Sequence, residues 1–372
     1  MRRFHYYLYS NIEPAPIGSG TEDPRLILNT TANGVLSAII GAPPGECRYG
    51  SLCDTYSTAL INSFIACGLL RREGESLFLD STVIVSEDTA SLRECFSAGI
   101  SHMADRLEEN KSIFYHAAKQ IDNGFLPEVN LYHILCGHVF DGLFFDFLGK
   151  NNIVSTSRTH DTGLDYIITV YENAPQLNAI SKKLLCSYNR YTDGRRALQS
   201  FGDSDGTRID FYRYSVQKAL GTASASLSAI ERSWDLLNCG DNISILLDEA
   251  QRFADTGRCM EPYEQLLTFF GYGRDGKISV PVYRKRHLPT INAIEKLVEK
   301  HLYKDMATTL LATAVQSDLL CSQHGVAPRE IANELYHVVF GQLNQMLVTR
   351  KFVAAPDYHP GEVRYLKSNE LL

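Results

Sequence analysis

The chain has no Cys-x-x-Cys pair, and its nine cysteines are scattered, with Cys47 and Cys53 the nearest neighbours. An odd, unpatterned count argues against a cysteine zinc site. It fits reduced thiols, several of them core fillers such as Cys67, Cys136 and Cys321. No apolar run reaches the roughly eighteen residues of a membrane span. The start, Met1-Arg-Arg-Phe-His-Tyr-Tyr-Leu-Tyr9, has no apolar core or small-residue cleavage site and does not read as a signal peptide. The expectation is a cytoplasmic chain with no membrane partner. Also missing are a Gly-x-Gly-x-x-Gly after a strand, a phosphate-binding Gly-Lys-Ser/Thr loop and a Gly-x-Ser-x-Gly elbow. These gaps lower the enzyme reading, and no catalytic residue, metal or cofactor is assigned. Basic excess is lacking too: the net charge is −7.

With 372 residues, 44% hydrophobic and 21% charged, the chain is globular and exceeds one ordinary core. The pattern reads as α+β, predominantly helical. Four consecutive segments follow from breaks in the pattern: 1–88, 89–220 (helical and α+β), 221–304 (helices with a hairpin) and 305–372. Asp54 reads as the cap of a helix running to Gly68, followed by a charged hairpin from Leu69 to Leu79. Val129 to Leu148 is helical and aromatic, with Phe140, Phe144, Phe145 and Phe147 as a core. Asn152 to Ser155 and Leu164 to Tyr171 read as strands. Pro175 to Tyr188 reads as a helix, and Asn189 to Gly206 as a polar loop. Asp275-Gly276 is the strongest hairpin signal in the chain. Positive charge gathers in Arg274 to Lys304, with eight Lys/Arg against three acids, and in Lys182 to Lys218, with eight against four.

Three constellations stand out. His133, Cys136 and His138 have metal-ligand types at helical spacing, but the segment is apolar and lacks a fourth ligand. His160-Asp161, flanked by Arg158, is a doublet of the kind used by metal-dependent phosphohydrolases, without the other ligands those sites need. Gly202-Asp-Ser-Asp-Gly206 places alternating acids beside Arg190, Arg195, Arg196 and Arg208, a mixture able to grip a polar or anionic ligand. Arg158, His160, Asp161, Arg195, Asp203, Asp205 and Arg208 are therefore the candidate ligand residues.

At the C-terminus, Arg329 to Leu335 reads as a short helix after Pro328, with a turn at Tyr336-His337. Val338 to Val348 reads as a second helix, and Lys351 to Ala355 and Val363 to Leu366 as two strands around a Pro/Gly turn. That order resembles the winged-helix variant of the helix-turn-helix. The first 88 residues repeat it more faintly. The resemblance implies a DNA-binding transcriptional regulator. Tyr336, His337, Gln342 and Gln345 would read bases, and Arg350, Lys351 and Arg364 would touch phosphates. The middle would sense a small-molecule effector or form a homodimer. Against this, Gln323 to the end carries five basic and five acidic residues, with no basic footprint. Two other readings stay open. One is a protein-interaction scaffold that uses winged helices as docking surfaces. The other is an enzyme with its site around Arg158–Asp161 and Asp203–Arg208.

Overall fold

The computed structural model describes residues 2–9, 24–160, 163–177, 186–203, 211, 214, 228–237, 242–316, 318–355 and 363–368. In the first half of the chain, β1 (Phe4–Tyr9) precedes α1 (Pro24–Ile27), α2 (Thr30–Ile40), α3 (Tyr49–Tyr56) and α4 (Thr58–Ala66). The hairpin β2 (Leu70–Glu73) and β3 (Ser76–Leu79) follows, then β4 (Thr82–Ile84), α5 (Thr89–Glu109) and α6 (Lys111–Ala118). The long helix α7 (Pro127–Lys150) and β5 (Ile167–Glu172) complete this half. The second half adds β6 (Cys186–Thr192) and β7 (Arg196–Asp203), then α8 (Ser228–Leu237), α9 (Asn242–Thr256) and α10 (Glu261–Phe269). Next come the hairpin β8 (Gly273–Arg274) and β9 (Lys277–Ile278), β10 (Val282–Tyr283) and α11 (Leu288–Val298). It closes with α12 (Lys304–Gln316), α13 (Leu320–Gln323), α14 (Pro328–Thr349) and β11 (Val363–Ser368). The protein is α+β and predominantly helical.

The second half repeats the first. In one sheet, β5 is central, with β1 antiparallel on one side and β4 parallel on the other. In the other, β11 is central, with β7 antiparallel and β10 parallel, and β6 extends the edge. All six residues of β5 are buried, as a central strand covered on both faces requires. The helices before the hairpins end alike. Leu69 N donates to Phe64 O at 3.0 Å and Tyr272 N to Leu267 O at 2.8 Å, with Gly68 and Gly271 both at φ +77°. These six-to-one bonds satisfy carbonyls that the helix end leaves open and need a left-handed residue. Gly68 has a second reason to be glycine: a Cβ there would lie 2.5 Å from His160 Cε1.

The compact units do not follow the consecutive segments read from sequence. Unit 1 contains residues 1–103, 146–184 and 304–339; unit 2 contains 104–145, 185–303 and 340–372. Each unit thus takes its sheet from one half of the chain and part of its helical layer from the other. The joint is built at matching positions. After β4, Asp88 accepts a bond from Val85 N at 2.9 Å and another from Leu320 N at 3.1 Å, the first residue of α13. After β10, His287 Nδ1 accepts from Arg284 N at 3.2 Å, and its Nε2 meets Asp122 Oδ1 at 2.6 Å, just past α6. Burial pushes the Asp88 carboxyl up to about 6. Further bonds across the halves hold unit 1: Asn333 Nδ2 to Ser155 O at 2.6 Å, and Tyr171 Oη to Glu334. Unit 2 has Tyr115 Oη to Phe352 O at 2.9 Å and the His138–Glu295 pair at 2.7 Å. A separate aromatic core in unit 2 centres on Trp234, whose ring meets Tyr214 edge-on at 4.5 Å and Phe270 at 5.9 Å.

Several expectations change. Tyr336-His337 makes no turn; α14 is one helix of 22 residues, with Tyr336, Val339, Phe340 and Leu343 at 0% exposure. Packing of these side chains against their units decides in favour of one helix. Lys351 to Ala355 forms no strand, and β11 pairs with β7 and β10 instead. Asp54 lies inside α3, and Ser57 caps α4. Asn152 to Ser155 is not a strand, and the polar stretch from Asn189 belongs to the β6–β7 hairpin. The helix expected up to Tyr188 meets β6 at Cys186; its residues 178–185 lie outside the described ones. The Asp275-Gly276 hairpin forms, with both residues at positive φ. The α7 helix is long and apolar enough to cross a membrane, unlike the sequence expectation, yet 67% of its apolar window is buried in the protein.

Two experiments test this architecture. A protease site inserted between Gly194 and Arg195, exposed in the β6–β7 turn, allows the folded chain to be cut with Gly194 kept at its φ of +87°. The two fragments should co-elute in native buffer and separate only in denaturant; separation in native buffer would mean that each half folds alone. His337→Pro, harmless in a turn, should cost about 3 kcal/mol or more in denaturant unfolding, because it removes an interior helix bond. A loss below about 1 kcal/mol would restore the turn.

Candidate functional site

Two exposed surfaces rest on a helix followed by a hairpin. In unit 1, Arg48 bridges to Ser76 as a single β-bridge, so that α3, α4, β2 and β3 close around it. Tyr49 N donates to Glu75 O at 2.8 Å and Leu77 N to Cys47 O at 2.9 Å. The outer face of α4 presents Thr58, Ala59, Asn62 and Ala66, while Ile61 and Phe64 are at 0% exposure. Tyr49 Oη donates to Asn62 Oδ1 at 2.8 Å, and the Arg72 guanidinium lies 3.6 Å from the Tyr49 ring centre. Arg72 also binds Glu75 at 2.7 Å, so the hairpin cation is already neutralised.

In unit 2 the corresponding face of α10 differs in charge. A groove of about 660 Å³ runs beside it, lined by Ile230, Glu261, Glu264, Gln265, Thr268 and Phe269. Glu261 and Glu264 stand one turn apart at the N-terminal end of α10, where the helix dipole favours carboxylates. Ser233 Oγ donates to Gln265 Oε1 at 3.4 Å, and Gln265 Nε2 donates to Glu261 Oε1 at 3.3 Å. Glu261 itself is exposed. Nearby, Glu249 accepts from Met260 N at 2.8 Å and fixes the entry to α10.

The described candidate ligand residues are divided between the two units. Arg158 and His160 belong to unit 1, and Arg195 and Asp203 to unit 2. Arg195 precedes β7 and Asp203 ends it, roughly 25 Å apart at strand rise. Asp161, Asp205 and Arg208 lie outside the described residues. Arg158 is a structural cation: it binds Asp80 and reaches Glu330 at 3.0 Å. Burial opposes its charge, but Glu330 and Asp80 outweigh that and raise its pKa. Burial raises Glu330 against the pull of Arg158. His160 stacks on Tyr166 at 3.9 Å, its Nε2 lies 2.8 Å from Tyr166 O, and burial lowers its pKa. Together these residues brace the β2–β3 hairpin. Among the described residues, no three His, Cys, Asp or Glu side chains gather to hold a metal. His133 Nδ1 lies 2.8 Å from Val129 O within its own helix, and His138 pairs with Glu295.

The residues expected to meet DNA are spread along α14 and beyond. Tyr336 is fully buried, His337 Nδ1 lies 2.9 Å from Asn333 O, and Gln342 is half-buried. Gln345 is exposed and donates to Thr349 Oγ1 at 3.3 Å. Arg350 pairs with Asp105 at 2.5 Å, and Lys351 is exposed at φ +56°. Arg364 sits in β11, with its side chain outside the described residues. Sequence reading missed Glu261, Glu264 and Phe269. Their signal was the repeat of helix, glycine, short strand and turn around Gly68 and Gly271.

His324 tests how tightly the hairpin is braced. Its Nδ1 accepts from Leu79 N at 3.3 Å, its ring packs edge-on against Phe78 at 6.2 Å, and its Nε2 is buried without a hydrogen-bond partner among the described residues. Burial, then the charge of Arg71, pushes its pKa down to about 4. A depressed histidine stabilises the fold fully above its unfolded pKa, and that stability is lost as pH falls through the folded value. Wild type should therefore lose about 3 kcal/mol relative to His324→Gln between neutral pH and pH ~4, measured by denaturant unfolding. Parallel pH profiles for the two proteins would show that the ring is not held neutral. Comparison with known proteins returns no matching family model, no matching curated relative and no matching solved structure.

Proposed function

We propose that this chain is a tandem winged-helix protein whose two modules, residues 30–84 and 228–283, dock protein partners rather than DNA. Three helices followed by a hairpin occur in each: α2, α3, α4 with β2–β3, and α8, α9, α10 with β8–β9. That order is the winged-helix order, carried by segments other than the C-terminal one read from sequence. Charge then chooses between the two uses of the module. Residues 30–84 carry three Lys/Arg against five acids, and 228–283 carry five against nine. A surface that tracks phosphates needs cations where the helix enters the groove. The α10 face carries Glu261 and Glu264 there instead, and this is the observation on which the reading rests.

The gene-regulator reading has less support. Tyr336, its first base-reading residue, is at 0% exposure, and Arg350 is spent on Asp105. An enzyme at Arg158–Asp161 and Asp203–Arg208 has less still, since Arg158 is spent on Asp80 and Glu330.

The reading is checked by titrating labelled duplex DNA into the purified chain at about 50 mM and about 200 mM salt. A docking protein should bind no tighter than about 10 µM at either salt, within or below the non-specific range. Nanomolar binding that falls steeply with salt would replace docking by gene regulation.

A further inference from the structure

Resting on the docking reading, we propose that the α8–α10 groove of unit 2 receives a short amphipathic segment of a basic partner protein, apolar side chains on one face and Lys or Arg on the other. The groove has the size of a specific pocket, about 660 Å³, within the usual range for ligand sites. Its floor is apolar: Ile230 from α8 and Phe269 from α10. That floor is rigid, because Phe269 packs edge-on to Phe270 at 5.2 Å, and Phe270 lies 4.1 Å from Phe211 and 5.9 Å from Trp234. A stiff apolar floor costs little ordering entropy when an apolar side chain enters it.

The rim sets the charge of the occupant. Among the described residues that line it, Glu261 and Glu264 are carboxylates and none is a cation. Glu261 accepts from Gln265 Nε2 at 3.3 Å, and Ser233 Oγ donates to Gln265 at 3.4 Å, so the Glu261 carboxylate stands exposed beside the Ile230 side of the groove. A Lys or Arg on the segment would meet the Glu261 and Glu264 carboxylates beside half-buried Phe269 and form charge-assisted hydrogen bonds, stronger than neutral ones. Nucleic acid is repelled by the same pair. A second copy of the chain is disfavoured by its net charge of −7. An amphipathic helix laid in a groove anchors through residues one turn apart, which matches the spacing of Glu261, Glu264, Gln265 and Thr268 along α10.

The test uses the full chain and a fluorescein-labelled peptide of Leu and Lys at helical spacing, roughly twelve residues long, about the length of α10 plus one turn. Two controls replace Leu by Ala or Lys by Glu. Anisotropy should show saturable binding of the Leu/Lys peptide alone. The double reversal Glu261→Lys with Glu264→Lys should weaken it at least tenfold. Thr268→Trp, which fills the groove and leaves the carboxylates in place, should weaken it as much. Circular dichroism confirms that both variants fold. Binding unaffected by the variants, equal binding of the Leu/Lys and Ala/Lys peptides, or no binding at all would each overturn the assignment. A concentration-dependent dimer of the chain that the charge reversal abolishes would overturn it in favour of a second copy. These failures leave the docking reading standing if DNA still binds weakly; only salt-steep DNA binding removes the docking reading itself.

Discussion

Asp88 receiving the amide of Leu320, and His287 meeting Asp122, are one joint made twice with different chemistry. In each case the residue closing a short turn after the parallel edge strand reaches back three residues to its own backbone and outward to a segment from the other half. Everything else in the architecture depends on that exchange. A sheet of three strands buries one face on its own helices and needs a second layer for the other. Here residues 304–339 belong to unit 1 and residues 104–145 to unit 2. The buried polar groups on those segments, such as Glu334 and Asn333 on α14 and Asn130 on α7, find their partners in the unit they join. Unpaired, each would carry a desolvation cost of about 1–3 kcal/mol, so the exchange is specified by hydrogen bonds as well as by apolar area.

The duplication also explains why the two working faces differ. Helix, glycine stop and hairpin are kept in both modules because Gly68 and Gly271 satisfy the same backbone requirement. The outward residues carry no such requirement and have diverged: Thr58, Ala59, Asn62 and Ala66 on α4, against Glu261, Gln265 and Thr268 on α10.

Local chemistry was legible in the sequence, and pairing was not. Asp275-Gly276 announced its hairpin because both residues tolerate the left-handed conformation that a two-residue turn demands. The aromatic run in α7 announced a core for the same local reason. Tyr336-His337 misled because a polar tip on an aromatic ring reads as a surface break, whereas burial of that ring within a longer helix decided the matter. The stretch Asn189 to Asp203 misled because Arg, Asp and Gly suggest a loop, whereas they form only the turn of the β6–β7 hairpin, whose outer edge is covered by β11, far away in sequence. Glu261 and Glu264 carried no signal of their own in the sequence beyond lying in a helix. Only the groove beside them, formed with Ile230 from another helix, gives them a role.

The position of β11 at the centre of its sheet has a consequence for the making of the protein on the ribosome. Strands β7 and β10 leave the exit tunnel long before residues 363–368, yet they meet each other only through β11. Unit 1 likewise waits for residues 304–339. Unit 1 therefore lacks part of its helical layer, and in unit 2 β7 and β10 stand with open edges, until residues 304–368 have emerged. A chain of this design depends on shielding of those edges while it waits, and slow elongation through its second half prolongs the exposure.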